Sequence, residues 1–401
     1  LKGARDVIVV GGGPAGAAAS VFLRQQGFDV LLLDAARFPR DKVCGEGVSP
    51  EAWRLLGAMG ARDDVADLGP HPLRGMRVVA PDGTAFQGSY RRGDEVLAGF
   101  ALRRTRLDAA LLGAARRAGV EVREGARVIG LLETGGGIAG VRLESGQPIP
   151  ARWVLGCDGR WGVTARAVGG LRPARRFRRF ALRIHLNGVA GLSNVGEMHV
   201  GHGGYCGLAP LPDGQANVAF VLDASAFRSA AGRLEAFAQE TLEQRFPAIA
   251  ARAREARPGG SPRAIGPLAV SVRRRARPGL LLLGDAAGFH DPFTGEGVTL
   301  ALRSGELAAG PVGDALRGRC STEAAAATYD AEYQAATRDK FRLNRLLQAL
   351  VALPPLAIAV ARRLRERPRT SDELVGIAGD FVPARRALGP RFVLELLRPP
   401  H

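Results

Sequence analysis

Gly11-x-Gly13-x-x-Gly16 follows the apolar run Val7-Ile8-Val9-Val10, and Asp34 stands at the tip of the next apolar stretch. Glycines at this spacing permit a tight turn, let the backbone approach a pyrophosphate, and allow a helix to pack closely on a strand. The acid can then accept hydrogen bonds from a ribose. A second pattern runs from Leu280 through Gly284-Asp285 to Pro292, Gly295 and Gly297. Here an apolar strand would deliver a carboxylate able to accept from ligand hydroxyls. The helix opened by Gly295 and Gly297 would offer amides that stabilise developing negative charge. A third segment, Cys157-Asp158-Gly159 after Trp153-Val154-Leu155, reads equally well as a ligand contact or a plain turn. His290, just before Pro292, could serve as an acid or base, or could be a simple loop residue. The first motif predicts a dinucleotide site that includes Pro14 and Ala15, without separating FAD from NAD.

The elements needed to place these residues are legible. Val7–Val10 reads as a buried parallel strand, 15–26 as a helix stopped by Gly27, and 29–33 as a second strand, which makes a βαβ unit. Residues 107–118 read as a helix and 120–122 as a strand. The stretch 180–222 alternates like paired strands, 225–257 reads as helical, 280–283 as a buried strand and 297–309 as a helix. From Thr322 the chain is mostly helical. The expected organisation is a discontinuous nucleotide-binding domain (1–75, 100–165 and 275–330), a sheet-rich substrate domain (76–99 and 166–274) and a helical C-terminal region (331–401).

Composition narrows the class. The 401 residues are 46% hydrophobic, which excludes global disorder. The formal charge of +17 attracts anions, but the basic residues are scattered without an aromatic-basic motif, so no specific nucleic-acid partner is expected. Cys44, Cys157, Cys206 and Cys320 are far apart and form no Cys-x-x-Cys pair, so neither a metal site nor a redox dithiol is indicated. The early first strand predicts a cytosolic location. The longest apolar stretch, 346–361, is interrupted by Gln348 and Pro354-Pro355 and followed by Arg362, Arg363, Arg365, Arg367 and Arg369. Such a segment can rest peripherally on an anionic membrane or pack as a helix with a solvated basic end.

In this order, the three nucleotide-site segments resemble the glutathione-reductase-type FAD fold in its p-hydroxybenzoate hydroxylase branch, over nearly the whole chain. The resemblance implies an α/β, Rossmann-like FAD-binding domain with a β-sheet-rich substrate domain and a helical C-terminal extension. Gly11, Gly13, Gly16 and Asp34 match its fingerprint, and Gly284, Asp285, Pro292, Gly295 and Gly297 match its Gly-Asp motif. Arg104 matches an arginine that contacts the cofactor; the plain alternative is a surface charge at a helix start. Asp158-Gly159 matches the middle motif, but Gly162 replaces the usual Ser.

Within that branch, Phe38-Pro-Arg-Asp-Lys-Val-Cys-Gly-Glu-Gly-Val-Ser-Pro50 looks most like the geranylgeranyl reductase family. The likeness implies that Lys42, Cys44 and Gly45 lie beside the isoalloxazine, with Cys44 near substrate, able to deliver a proton or shape the pocket. Tyr205 to Pro210 resembles the family's strand over the flavin, with Gly207 where Trp is common. The Trp-x-Trp-x-Ile-Pro segment of flavin halogenases is absent.

The resemblance implies an FAD-dependent oxidoreductase acting on a small hydrophobic substrate, with Cys44, Tyr205 and His290 as catalytic candidates. Two reactions are expected to compete. One is reduction of C=C bonds in an isoprenoid or related lipid. The other is hydroxylation or epoxidation of an aromatic, polyketide or alkene through a flavin C4a-hydroperoxide. No second glycine-rich dinucleotide motif is evident, so the reductant is expected to be transiently docked NAD(P)H or an electron-transfer protein.

Overall fold

The computed structural model describes residues 3–168, 171–173, 178–230 and 232–397. Residues 1–2, 169–170, 174–177, 231 and 398–401, which fall within the three expected parts, lie outside the described residues.

The first layer is a sheet built on β1 (Arg5–Val10) and β2 (Val30–Asp34), joined by helix α1 (Pro14–Gln25). Strand β2 is buried along its length, as its Val-Leu-Leu-Leu run requires of a strand covered on both faces. The segments Gly75–Val79 (β3) and Ala85–Ser89 (β4) go to a different sheet. Helix α2 (Arg104–Arg117) leads back to β5 (Glu121–Glu124), followed by β6 (Val128–Thr134), β7 (Gly137–Leu143) and β8 (Pro148–Gly156). The order is β5-β2-β1-β8-β7-β6. The pairs β5/β2, β2/β1 and β1/β8 are parallel, whereas β7 pairs antiparallel with both β6 and β8.

The second sheet is formed by β9 (Arg179–Asn187), β10 (Gly196–Gly201), β11 (Gly204–Pro210) and β12 (Gln215–Asp223), in the order β9-β12-β11-β10-β3-β4. The chain then returns to the first sheet as β13 (Leu280–Leu282), parallel to β8. Between the sheets, 225–257 is not one helix: helical turns at Ala224–Phe227, Leu234–Arg245 and Pro247–Arg252 are separate, because Pro247 restarts the chain and Phe246 has non-helical dihedrals. Helix α3 (Val163–Ala167) is short, and α4 (Gly297–Leu316) runs past residue 309 and through Pro311.

Helix α5 (Thr322–Val351) packs on α4 and beside β13, while α6 (Pro354–Arg365) and α7 (Pro368–Ala378) cover β4. No single helix among the described residues is long and apolar enough to cross a membrane; α5 and α6 meet at a 113° bend. Pro354 and Pro355 begin α6 and account for the break.

Candidate active site

Sheet register assembles the site. Val10 pairs with both Leu33 and Gly156, and Gly156 pairs with Leu282. Four chain segments therefore leave the sheet at one carboxyl edge, where ligands of α/β sheets sit. Gly11, Asp34, Cys157 and Gly284 lie at that edge and line one cavity of about 650 Å³, within the usual size range of ligand sites.

At the nucleotide end, Gly11 has φ +107°, and a Cβ there would lie 2.4 Å from Cys157 O. A Cβ on Gly16 would lie 1.9 Å from Gly11 O, so the turn and the helix meet only without side chains. Asp34 accepts from Gly12 N and Ala36 N, both at 2.7 Å, and retains lone pairs for a ribose. Helix α1 begins at Gly13 with no side-chain cap, and Gly13, Pro14 and Ala15 line the cavity. Its first-turn amides are thus available to phosphate oxygens. Arg40, which the sequence reading passed over, reaches the same place: its guanidinium is 3.1 Å from Asp108 Oδ2 and 3.9 Å from Asp34 Oδ2.

At the other end stands Asp285, with Lys42 Nζ 3.5 Å from its Oδ2. Burial works to raise the Asp285 pKa, but Lys42, Arg160 and Arg104 outweigh it and hold the carboxyl below its ordinary value. Arg160 is a further residue missed by sequence. It is buried, lies over the Phe289 ring at 4.6 Å, and has its pKa lowered by burial, with Asp285 opposing. Helix α4 also starts without a side-chain cap, and Gly295, with φ +72°, shares the cavity wall with Pro292 and Gly297. Two uncapped helix starts and two carboxylates on one cavity fit FAD: Asp34 and the α1 amides for its adenosine and pyrophosphate, Asp285 and the α4 amides for its ribityl and flavin parts.

Cys44 and Gly45 also line the cavity. Cys44 Sγ accepts from Glu46 N at 3.3 Å, and Asn217 Nδ2 donates to Cys44 O at 2.9 Å. Arg104 is no surface charge. Its guanidinium makes two 2.7 Å bonds to buried Asp108, and beside it lies Cys44. Burial opposes the Arg104 charge, but Asp108 foremost and then Cys44 keep it firmly protonated.

Glu46, also missed, organises this corner. It has φ +60° and is fully buried, accepting from Arg104 N at 3.0 Å, Asn217 Nδ2 at 2.8 Å and His185 Nε2 at 2.7 Å. The only sequence signal for it was its place directly after Cys44-Gly45; nothing there announced partners on β9 and β12.

Three candidates sit in the cavity wall in arrangements the sequence did not show. The Tyr205 hydroxyl donates to Asp291, and burial, with that neighbour, pushes the phenol far above its ordinary range. His290 stacks on Phe341 at 4.1 Å; burial, with Arg345 and Arg275, lowers its pKa to about 4. It is therefore neutral near pH 7 and carries no imidazolium proton to donate. Asp158 caps α3, accepting from Thr164 N at 3.0 Å and from the Thr164 hydroxyl at 2.5 Å. The turn role is visible there, while the residue still borders the cavity. Among the described residues, no group of three or more His, Cys, Asp or Glu could hold a metal ion.

Comparison with known proteins agrees with this geometry. The profile of a family described as an FAD binding domain matches residues 4–342. A digeranylgeranylglycerophospholipid reductase of Methanosarcina mazei is 31% identical over 320 residues, covering 77% of this chain and 75% of that protein. A menaquinone reductase of Mycolicibacterium smegmatis is 29% identical over 322 residues, covering 76% and 75%. Among solved structures, a flavoprotein/dehydrogenase from Cytophaga hutchinsonii superposes with a TM-score of 0.83 at 23% identity, covering 94% of this chain and 92% of that one. A geranylgeranyl bacteriochlorophyll reductase-like protein from Thermoplasma acidophilum gives 0.73 at 20% identity, covering 99% and 96%. At these identities the structures speak for the fold alone.

Proposed function

From the premise that this chain belongs to the FAD binding domain family and is an FAD-dependent oxidoreductase, we propose that it reduces C=C bonds in an isoprenoid or isoprenoid-bearing lipid. The observation that carries this reading is the two-sided character of one cavity. It is charged around Asp34 and Asp285, and apolar where Ala181, Met198, Val221 and Leu268 cluster with Val43, the neighbour of Cys44. The reductase names of the curated relatives support the same substrate class.

Bound FAD would supply the two-electron redox chemistry. Lys42, Arg160 and the α4 amides hold negative charge at the Asp285 end. The apolar wall excludes water and seats the substrate chain. Cys44 presents its Sγ to the cavity, where Glu46 N donates to it, Asn217 anchors its backbone carbonyl and Arg104 lies against it. The reductant is NAD(P)H or an electron-transfer protein docking at the cavity mouth. The α5–α6 bend exposes Leu346 (53%), Leu353 (53%) and Leu356 (46%), with Arg362 and Arg365 following on α6. That face supports peripheral contact with an anionic membrane from which a lipid could be drawn.

Gly207 favours one second reading, oxygenation of a bulkier substrate. A Cβ at this position would be 3.7 Å from Met198 Cε, so a small residue leaves the wall wide. One experiment separates the two. The FAD-loaded protein is reduced without oxygen in the presence of a geranylgeranyl lipid, and products are weighed by mass spectrometry. Gain of two hydrogens per double bond is expected. Turnover only in air, with labelled oxygen in the product, would replace the reductase reading with the oxygenase one.

A further inference from the structure

A second, smaller cavity lies between the outer sheet and the C-terminal helices. Its volume is about 90 Å³. Val78 and Phe86 line it from β3 and β4, Leu347 from α5, and Ala361 and Leu364 from α6. Of its lining side chains only Thr294 carries a polar group, so water gains nothing by entering. Met76, Thr294 and Ala378 border this cavity and the 650 Å³ cavity alike, and so form the partition between them. Much of its roof is built from residues beyond 342, outside the segment that the family profile matches.

We propose that this pocket receives the branched apolar end of the substrate chain, and that Met76 is the gate through which the chain passes from the main cavity. The inference rests on the hydrophobic-substrate reading above and adds where the far end of the chain goes. Continuity is the reason to assign an occupant: an apolar chain in the main cavity meets a partition of Met76, Thr294 and Ala378, of which only Met76 has a long, unbranched side chain, with a dry chamber behind it. Methionine can change rotamer without losing a hydrogen bond, so the partition opens at small cost. Size limits the occupant to a few carbons: a dry cavity of about 150 Å³ accepts a benzene ring, and this smaller one holds no more than about one isoprene-sized terminus. Apolar walls whose one side-chain hydroxyl is that of Thr294 give such a group contacts and give a polar terminus few.

The test measures binding rather than turnover. Oxidised, FAD-loaded protein is titrated with geraniol and with geranylgeraniol, following the flavin absorption band. Ala361→Phe fills the chamber and is expected to weaken geranylgeraniol about tenfold while leaving geraniol within about twofold, since only the longer chain reaches past Met76. Leu364→Ala enlarges the chamber and is expected to favour geranylfarnesol over geranylgeraniol, so the proposal does not depend on the folding of one variant. If Ala361→Phe weakens both alcohols equally or neither, or if Leu364→Ala leaves chain-length preference unchanged, the chamber is not the tail site. Failure of the parent protein to bind either alcohol would instead overturn the isoprenoid reading on which the proposal stands.

Discussion

The Glu46 carboxylate and the His185 ring meet at 2.7 Å, with both side chains buried, and join the loop carrying Cys44 to strand β9 of the outer sheet. The contact continues outward: Arg183, 2% exposed, lies against His185 and bonds Asp41, whose carboxyl Arg183 and Arg263 hold below its ordinary pKa against the opposing effect of burial. Cys44 is thus set by a polar network that ties its own loop, through Glu46, to helix α2 and to strands β9 and β12 of the outer sheet.

Removing that carboxylate should be costly. Glu46→Ala leaves His185, Asn217 and Arg104 N without their buried acceptor and is expected to lose about 3–5 kcal/mol. Glu46→Gly should lose roughly 1 kcal/mol less than Ala, because position 46 has φ +60°. Urea unfolding of the three proteins tests this; equal midpoints for Glu46→Ala and the parent would contradict the latch.

Steric demand at the first turn predicts cofactor loss. Gly16→Ala places a methyl group 1.9 Å from Gly11 O and should weaken FAD by at least about tenfold, read by fluorescence on release. Gly57→Ala is the matched control. It lies in the helix Ala52–Ala58 with nothing within 4 Å of a new Cβ. It should stabilise the fold by about 0.5–1 kcal/mol and leave FAD affinity unchanged.

Asp285→Asn should also reduce FAD retention, because a neutral amide is a weaker acceptor for ribityl hydroxyls than the carboxylate it replaces. Lys42 and Arg160 would remain at this end and leave it more cationic. A loss of about 1.5–3 kcal/mol in FAD binding is expected, together with a stronger salt dependence than the parent shows, since the more cationic site holds the pyrophosphate by charge. Tight, salt-insensitive binding by Asp285→Asn would remove Asp285 from the cofactor site.

His290 predicts an acid-side stability slope. Its folded pKa of about 4 lies below the ordinary 6.5, so the unfolded chain takes up the proton first. The stabilisation is fully present above about pH 6.5 and is lost as pH falls toward 4, amounting to at most about 3 kcal/mol. His290→Phe, which preserves the stack on Phe341, should flatten that part of the curve. Identical pH dependence in the two proteins between pH 4 and 6.5 would show that His290 does not titrate in this way.

Tyr205→Phe removes the hydroxyl given to Asp291 and leaves that buried carboxylate with Phe293 N and Arg179 as its remaining partners. A stability loss of about 1–3 kcal/mol is expected. If Tyr205 acts only through this bond, kcat should fall no further than substrate positioning explains. A loss of kcat at unchanged KM would assign its hydroxyl to the chemical step.

Much of the nucleotide end was legible in the chain. Gly11, Gly16 and Asp34 lie in one βαβ unit, where spacing along the sequence is nearly spacing in space. Leu280–Leu282 and Asp285 were equally readable, since a short aliphatic run ending in Gly-Asp has few other uses. The stretch 225–257 reads as helical from composition, which does not register the local breaks that divide it, such as that at Phe246 and Pro247.

What the sequence determined by itself were the local devices: a glycine turn that cannot bear side chains, apolar strands that must be buried, and the carboxylates at their ends. Tertiary structure alone decided that Glu46 would meet His185 and Asn217, that Arg160 would be buried beside Asp285, and that Tyr205 would spend its hydroxyl on Asp291. Those contacts join residues far apart in the chain, and their strength comes from burial. A charge or hydroxyl acquires its partner and its altered pKa only once two sheets and the C-terminal helices have closed around it and excluded water.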